Sequence, residues 1–208
     1  MKHRSKIPNR EEEQRFLDTV EKMNPVDADI YWLMGHRGLR IGEIVSDHRE
    51  GDHFIVGPWG AAYRHWKSNL PGLQIEDLTD SGVHVKGKKG HDNFINLPPD
   101  RVSRLRHHGG KRSKGLIFKD VASHADPVGT MDHRTKRYGC ESGIEDWQYL
   151  HPHAFRHAFG YKAARQTKGD VFKVRDLCRH KGIAMSSRYV HEMPLEERKA
   201  ILETLDEA

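Results

Sequence analysis

Cysteine is scarce: Cys140 and Cys178 are the two among 208 residues. Two thiols build neither a disulfide scaffold nor the paired-cysteine sets of a zinc finger, so the expectation is a reduced, cytoplasmic protein held together by its core. Long apolar runs are missing as well. The longest, Ile30 to Met34, has five residues, whereas a bilayer-crossing helix needs ~20. The opening MKHRSKIPNREEEQ is charged and has no apolar stretch of the secretory type, so no membrane partner is expected. Repeats and low-complexity tracts are absent too.

Charge, by contrast, is plentiful. Lys and Arg number 35 against 30 Asp and Glu, a net +5 with the 16 His neutral. Residues 192–208 hold six acids and two bases, a local −4 that leaves +9 on the preceding 191 residues. Residues 101–120 alone carry seven Lys/Arg against Asp120. A basic body suits a polyanion, most simply nucleic acid, although such a run also suits a solvated helix and loop. The length allows one domain of ordinary size, or a large one with a small appendage.

The element pattern is mostly helical. Asn9 with Glu12 three residues on has the form of a capping box, and Phe16, Leu17, Val20 and Met23 share a helical face that Pro25 ends. A second helix is expected over 27–35, and a third opening at Gly38, with Arg40 and Glu43 on neighbouring faces. Residues 48–72 mix aromatics with Gly and Pro and have no legible period. Val83 and Val85, a GKKG turn at 87–90, then Ile95 and Leu97 spell a β-hairpin with a lysine-rich tip. Next come a helix over 100–108, a short strand over 116–118 and helices over 128–141, 151–166, 171–178 and 183–190. A last helix should start at Pro194, with Leu195, Ile201, Leu202 and Leu205 as its apolar stripe. The fold class is therefore α+β, mainly α-helical with a small antiparallel β-sheet.

Five motifs carry residues of one chemistry: Arg40 in GLRIGE, Lys88 at the hairpin tip, His153 and Arg156 in HPHAFRH, His180 in LCRHKG and Tyr189 in SSRYVH. Each alone has an ordinary role as a surface pair, a solvated lysine or a core tyrosine. Together they supply what phosphoryl transfer without a metal requires. Charge builds on the non-bridging phosphate oxygens, and the forked guanidinium groups of Arg40 and Arg156 suit it better than a point charge. His153 and His180 can donate hydrogen bonds or move a proton near neutral pH. Tyr189 can serve as nucleophile, since a phenol leaves readily and its phosphodiester remains reversible. Lys88 can protonate the departing 5′ oxygen.

In order and type, GLRIGE, VKGKKG, HPHAFRHAFG, RHKG and the RYVH tyrosine resemble the catalytic domain of tyrosine recombinases, the phage-integrase and Xer-like family. The resemblance covers residues 9–192. It implies the tyrosine recombinase fold and a site-specific recombinase or integrase, as found on mobile genetic elements. Tyr189 would form a 3′-phosphotyrosine with double-stranded DNA and free a 5′-hydroxyl. Arg40 and Arg156 would bind the scissile phosphate, with His153 beside them and His180 at the family's His-or-Trp position. Lys88 would be the general acid, or Lys89 if the turn slips by one. Glu43 would orient Arg40. No cofactor or metal is implied; the partners would be DNA and further copies, as a tetramer, on the nucleoid or in a host's cytoplasm.

The resemblance divides the chain into a basic tail (1–8), the catalytic domain (9–192, with an insertion about 46–72) and an acidic C-terminal helix (193–208). That helix would dock on a neighbouring protomer or pack on its own body. The family's separate DNA-clamping domain has no counterpart in the tail. Cys178-Arg179-His180 stands where Leu-Gly-His is usual, which puts a cation beside the site. Three rivals compete with this assignment. His153 and His157 have the i, i+4 spacing of a zincin helix, but Ala154 replaces the expected acid and Arg156 would repel a metal. A Cys178–His180 nucleophile is weaker, because Cys178 falls at a core position. The third is a DNA-binding regulator or accessory subunit of the same fold without strand transfer.

Overall fold

The first helix begins at its capping residue. In α1 (Arg10–Met23) the Asn9 side chain accepts the Glu12 N–H at 2.9 Å, and the Glu12 carboxylate accepts the Asn9 N–H at 2.9 Å. Two orphan amide donors are thus satisfied reciprocally. The computed structural model describes residues 5–57, 60–87 and 92–193, and over 48–69 the backbone alone. The described residues form two compact units, one from those up to Leu39 together with those from Thr135 onward, and one from those between Arg40 and Arg134.

In the first unit, Pro25 does more than stop α1. It is the first residue of α2 (Pro25–Arg37), where its missing N–H has no bond to lose. Asn24 serves both helices: its N–H donates to Val20 O, and its side chain accepts from Val26 and Asp27. Phe16 and Val20 face inward from α1, whereas Met23, expected on the same face, is exposed at the helix end. From Ala28 to Met34, α2 is buried on most sides and packs on α7 (Pro152–Gln166). Phe16, Tyr31 and Phe155 meet with ring centroids 4.5–5.2 Å apart. Full burial of a side chain of this size contributes roughly 1.5–3 kcal/mol. The hydroxyls in this core are satisfied, Tyr31 with Thr135 at 2.9 Å and Tyr138 donating to Asp27 at 2.7 Å. Helices α8 (Val171–Cys178) and α9 (Ile183–His191) pack on α7 around Ala163, Ala164, Val174, Cys178, Tyr189 and Met193.

The second unit contains α3 (Ile41–Val45), two antiparallel hairpins, α4 (Pro99–Gly109) and α5 (Lys119–Ala122). The long helix α6 (Pro127–Glu141) contributes residues to both units. Strands β3 (Gly82–Lys86) and β4 (Asp92–Asn96) pair as the sequence period indicates, Val83 opposite Ile95, with Val83 and Val85 buried. The stretch without a legible period is a long hairpin: β1 (Asp47–Gly57) pairs with β2 (Gly60–Leu70) from Asp47 opposite Leu70 to Gly57 opposite Gly60. The architecture is thus the mainly helical α+β arrangement expected, with a second two-stranded sheet.

Two local expectations fail. The third helix starts at Ile41, not Gly38, because Gly38 is the left-handed C-cap of α2 at φ +63° and Arg40 is extended at φ −80°, ψ 147°. Leu116 to Phe118 is not a strand. Leu116 makes an isolated bridge to Gln74, and the chain turns at once into α5, so the apolar run is satisfied by burial of Ile117 and Phe118 rather than by a ladder. The lysines of the hairpin tip, Lys88 and Lys89, and the helix expected from Pro194 lie outside the described residues.

Candidate active site

Helix α7 carries one wall of the site. His151 is its extended N-cap and Pro152 its first residue, which sets His153, Arg156, His157 and Gly160 at helical intervals along it. Arg156 is 1% exposed. Its Nη1 donates to Gly38 O and its Nη2 to Cys178 O, the latter at 2.5 Å. The guanidinium therefore joins the C-terminal ends of α2 and α8, where helix carbonyls lack partners and the dipole favours a cation. Arg179, the cation that replaces a small residue, takes the left-handed cap of α8 at φ +54° and donates to the same Gly38 O at 3.1 Å. A β-carbon in that conformation costs about 1–2 kcal/mol, and this tie from its own side chain offsets part of it.

Tyr189 of α9 is 3% exposed and lies on α7. One face of its ring rests on Gly160, the one place on this helix face where a missing side chain leaves room. His180 is stacked with the ring at 5.9 Å and 17°, and Tyr161 meets it edge-on at 5.1 Å. His180 is fixed in turn by Ser186, whose Oγ is 2.9 Å from its Nδ1. At the tip of the ring, Tyr189 Oη is 2.9 Å from Nδ1 of His157. His153 follows one ring further on, edge-on to His157 at 4.8 Å.

Electrostatics follow from this packing. Burial raises the pKa of the Tyr189 phenol, against the pull of the Arg156 and Arg188 cations. Burial lowers His157 to about 4, and the neighbouring charges of His151, Arg188 and Arg156 act in the same direction. The Oη···Nδ1 pair is accordingly a neutral phenol against a neutral imidazole at neutral pH. Beyond it, Glu192 accepts from Tyr161 Oη and, at 2.8 Å, from Arg188 Nε. Those hydrogen bonds hold the Glu192 carboxyl below its ordinary range and fasten the end of α9 to α7.

Arg40 belongs to the second unit. Glu43, itself buried, takes the Arg40 backbone N–H on Oε2 at 2.8 Å and the guanidinium on Oε1 at 2.9 Å. The side chain stays 39% exposed, leaving donor edges open to solvent. In the basic stretch of the same unit, some cations have structural work. Arg112 donates to the carbonyls of Gly109 and Leu116 at 3.1 and 2.8 Å, and Arg106 pairs with Asp80 at 2.5 Å.

Of the residues singled out by sequence, Arg156, His180 and Tyr189 converge where α7, α8 and α9 meet, with His153 alongside through His157. Arg40 is ordered by Glu43 within its own unit. Sequence considered His157 only as a metal ligand and passed over Gly160. The signal for both was their spacing on α7, residues 157 and 160 lying on one face, but nothing in the sequence tells that this face receives Tyr189. A phenol held beside two imidazoles and a buried guanidinium is equipped for nucleophilic attack on an anionic centre.

A family model described as the phage integrase family matches residues 66–196. Among curated proteins, the tyrosine recombinase XerC of Chromobacterium violaceum is 28% identical over 183 residues, covering 83% of this chain and 51% of that protein. A tyrosine recombinase of Pseudothermotoga lettingae is 28% identical over 148 residues, 67% of this chain and 49% of its own length. The chain thus spans about half the length of the curated relatives it matches. Among solved structures, the XerA recombinase superposes with a TM-score of 0.66 at 16% identity, over 98% of this chain and 65% of that one. The XerH site-specific recombinase, in a pre-cleavage complex with difH substrate, gives 0.64 at 16% identity, over 97% and 55%.

Proposed function

The chain belongs to the phage integrase family, and from that premise we propose that it carries the catalytic centre of a site-specific recombinase acting on double-stranded DNA. Tyr189 Oη attacks the scissile phosphorus, the bond to the 5′ oxygen breaks, and the chain is left joined to the 3′ end as a phosphotyrosine. Rejoining runs the same steps backwards from a 5′-hydroxyl, so neither metal nor ATP is consumed. Arg156 and Arg40 offer forked donors to the non-bridging oxygens as charge gathers there, His153 and His180 add further hydrogen bonds, and Lys88, or Lys89, delivers a proton to the leaving oxygen.

The observation that carries this reading is the setting of Tyr189: a single phenol whose oxygen, ring face and ring edge are each held by a named partner, His157, His180 and Tyr161. A buried phenol always needs a partner, as Tyr31 and Tyr138 do; what sets Tyr189 apart is that its partner is an imidazole, a base able to take the phenolic proton. Because Tyr189 is 3% exposed, the attack requires α9 to present the ring to the phosphate when DNA is bound. The same burial favours a second reading, a DNA-binding regulator in which Tyr189 stays in place as core.

A nicked duplex carrying the target site separates the two. Recombinase chemistry should give a covalent protein–DNA band on a denaturing gel, absent from Tyr189→Phe. A proven site that yields no band, or a band that survives Tyr189→Phe, rejects the enzymatic reading. On an uncleaved pair of sites the complex should sediment as four protomers; a monomer on each site would reject the tetramer.

A further inference from the structure

Among the side chains around Tyr189, His157 is the one whose nitrogen touches the reacting oxygen, and the recombinase reading has so far left it without a task. The contact is 2.9 Å from Nδ1 to Oη, within the range of a normal hydrogen bond. Its direction follows from the groups present. A neutral imidazole has one donor nitrogen and one acceptor, and a phenol donates more strongly than an imidazole N–H, so Oη–H points to Nδ1 and the ring proton resides on Nε2. Helix α7 fixes the imidazole from below and the edge-on His153 ring from the side. Tyr189 is in turn confined by Gly160 and His180. Donor and acceptor are thus both held in the resting chain, and the phenolic proton already has its acceptor at hand when α9 presents the ring to the phosphate.

We infer that His157 is a catalytic residue of this centre, the base that takes the Tyr189 phenolic proton through Nδ1 as the tyrosine–phosphorus bond forms. The step balances. An Oη lone pair forms the new bond to phosphorus, the Oη–H pair stays on oxygen as the proton passes to Nδ1, and the bond to the 5′ oxygen breaks with its electrons leaving on that oxygen. The leaving oxygen takes its proton from the general acid, Lys88 in the reading above. In the rejoining step the imidazolium returns its proton to Tyr189 Oη as the phenol departs.

Before attack the proton belongs to the phenol, since burial raises Tyr189 and lowers His157. Esterification reverses the preference: an aryl phosphate oxygen has almost no basicity, and the incoming phosphate brings negative charge that stabilises an imidazolium. The base is therefore inert until substrate arrives, which protects a resting phenol from ionising.

The inference rests on Tyr189 being the nucleophile, and the experiment keeps the two apart. The target is recovered by sequencing genomic DNA retained covalently on the wild-type chain, and a nicked duplex of that sequence serves as substrate, in ordinary form and with a 5′-bridging sulfur. A thiolate leaves without protonation, so the sulfur substrate bypasses the general acid but still needs a base. His157→Ala should slow adduct formation by about 10²–10³-fold on both substrates, with DNA affinity unchanged, and added imidazoles should restore the rate in the order of their basicity. His157→Gln, which keeps polarity and volume, should be slow as well, so that a folding defect in the smaller variant leaves the question answerable. A rate within threefold of wild type in either variant overturns the inference while leaving Tyr189 as nucleophile. So does a loss on the ordinary substrate alone, or a loss that no imidazole repairs. If wild-type protein itself retains no DNA, the recombinase reading fails and this one with it.

Discussion

A Cβ built on Gly160 would stand 2.5 Å from Cζ of Tyr189, closer than any packed carbon pair. The glycine lets the phenol ring lie directly on the α7 backbone. Gly160→Ala should push the ring away from His157, at a cost in stability of about 1–3 kcal/mol from overpacking. It should also slow adduct formation while leaving DNA affinity in place. Denaturant titration and the covalent-adduct assay read the two effects; a variant as stable and as fast as wild type would show that the ring is not confined there.

Arg156 and Arg40 should separate on substitution, although both are proposed phosphate ligands. Lys in place of Arg156 cannot reach Gly38 O and Cys178 O together, and losing one such charged hydrogen bond in the interior costs about 1.5–3 kcal/mol. Arg40→Lys changes a group that is 39% exposed and paired with Glu43, so its stability cost should stay below about 1 kcal/mol. Both should lower cleavage more than binding, because the fork matters most as charge develops. Unfolding midpoints that fall equally in the two variants would contradict the structural role of Arg156.

Acidification provides a check on the His157 environment. Its folded pKa is about 4 against an ordinary 6.5, so between those values the unfolded chain binds a proton that the folded chain refuses. The contribution of this group is therefore fully present above pH 6.5, is lost as the pH falls toward 4, and is flat below. His157→Gln lacks that slope. The stability difference between wild type and His157→Gln should shift against wild type from pH 7 to pH 4, and a constant difference would place His157 in water rather than against Tyr189.

Salt should weaken DNA binding steeply. A body with +9 outside residues 192–208 neutralises several phosphates, each adding ~0.9 to the log–log slope. Because Arg112 and Arg106 are engaged with carbonyls and with Asp80, Arg112→Gln should reduce stability more than it reduces the slope, whereas Lys111→Gln and Lys114→Gln should lower the slope alone. Slopes equal to wild type in all three variants would exclude this segment from the interface.

How much of this was legible in advance depends on how local the cause is. The capping box of Asn9 and Glu12, the proline start of α7 and the β3–β4 pairing are set by residues within a few positions of each other, and all were readable. Residues 47–70 were not, because their sequence has no strict apolar–polar alternation and so leaves no period to detect, although the backbone pairs as a two-stranded ribbon. Leu116 to Phe118 read as a strand because a short apolar run has the same signature whether it pairs or merely turns inside. Arg40 was assigned to a helix by its neighbours, yet the left-handed Gly38 before it resets the chain so that Glu43 caps it instead.

By itself the amino-acid order determined the helical stretches, the β3–β4 pairing and the set of chemical groups, because short-range sterics, capping and hydrophobic spacing act between near neighbours. Only the tertiary structure decided that Gly160, His157 and His180 surround Tyr189, and that Arg156 joins the ends of two helices while Arg40 keeps an exposed edge. Those partners lie 9 to 118 positions apart in the chain. What brings them within bonding distance is the burial of apolar faces between α2, α7, α8 and α9, a cooperative result that no local pattern encodes.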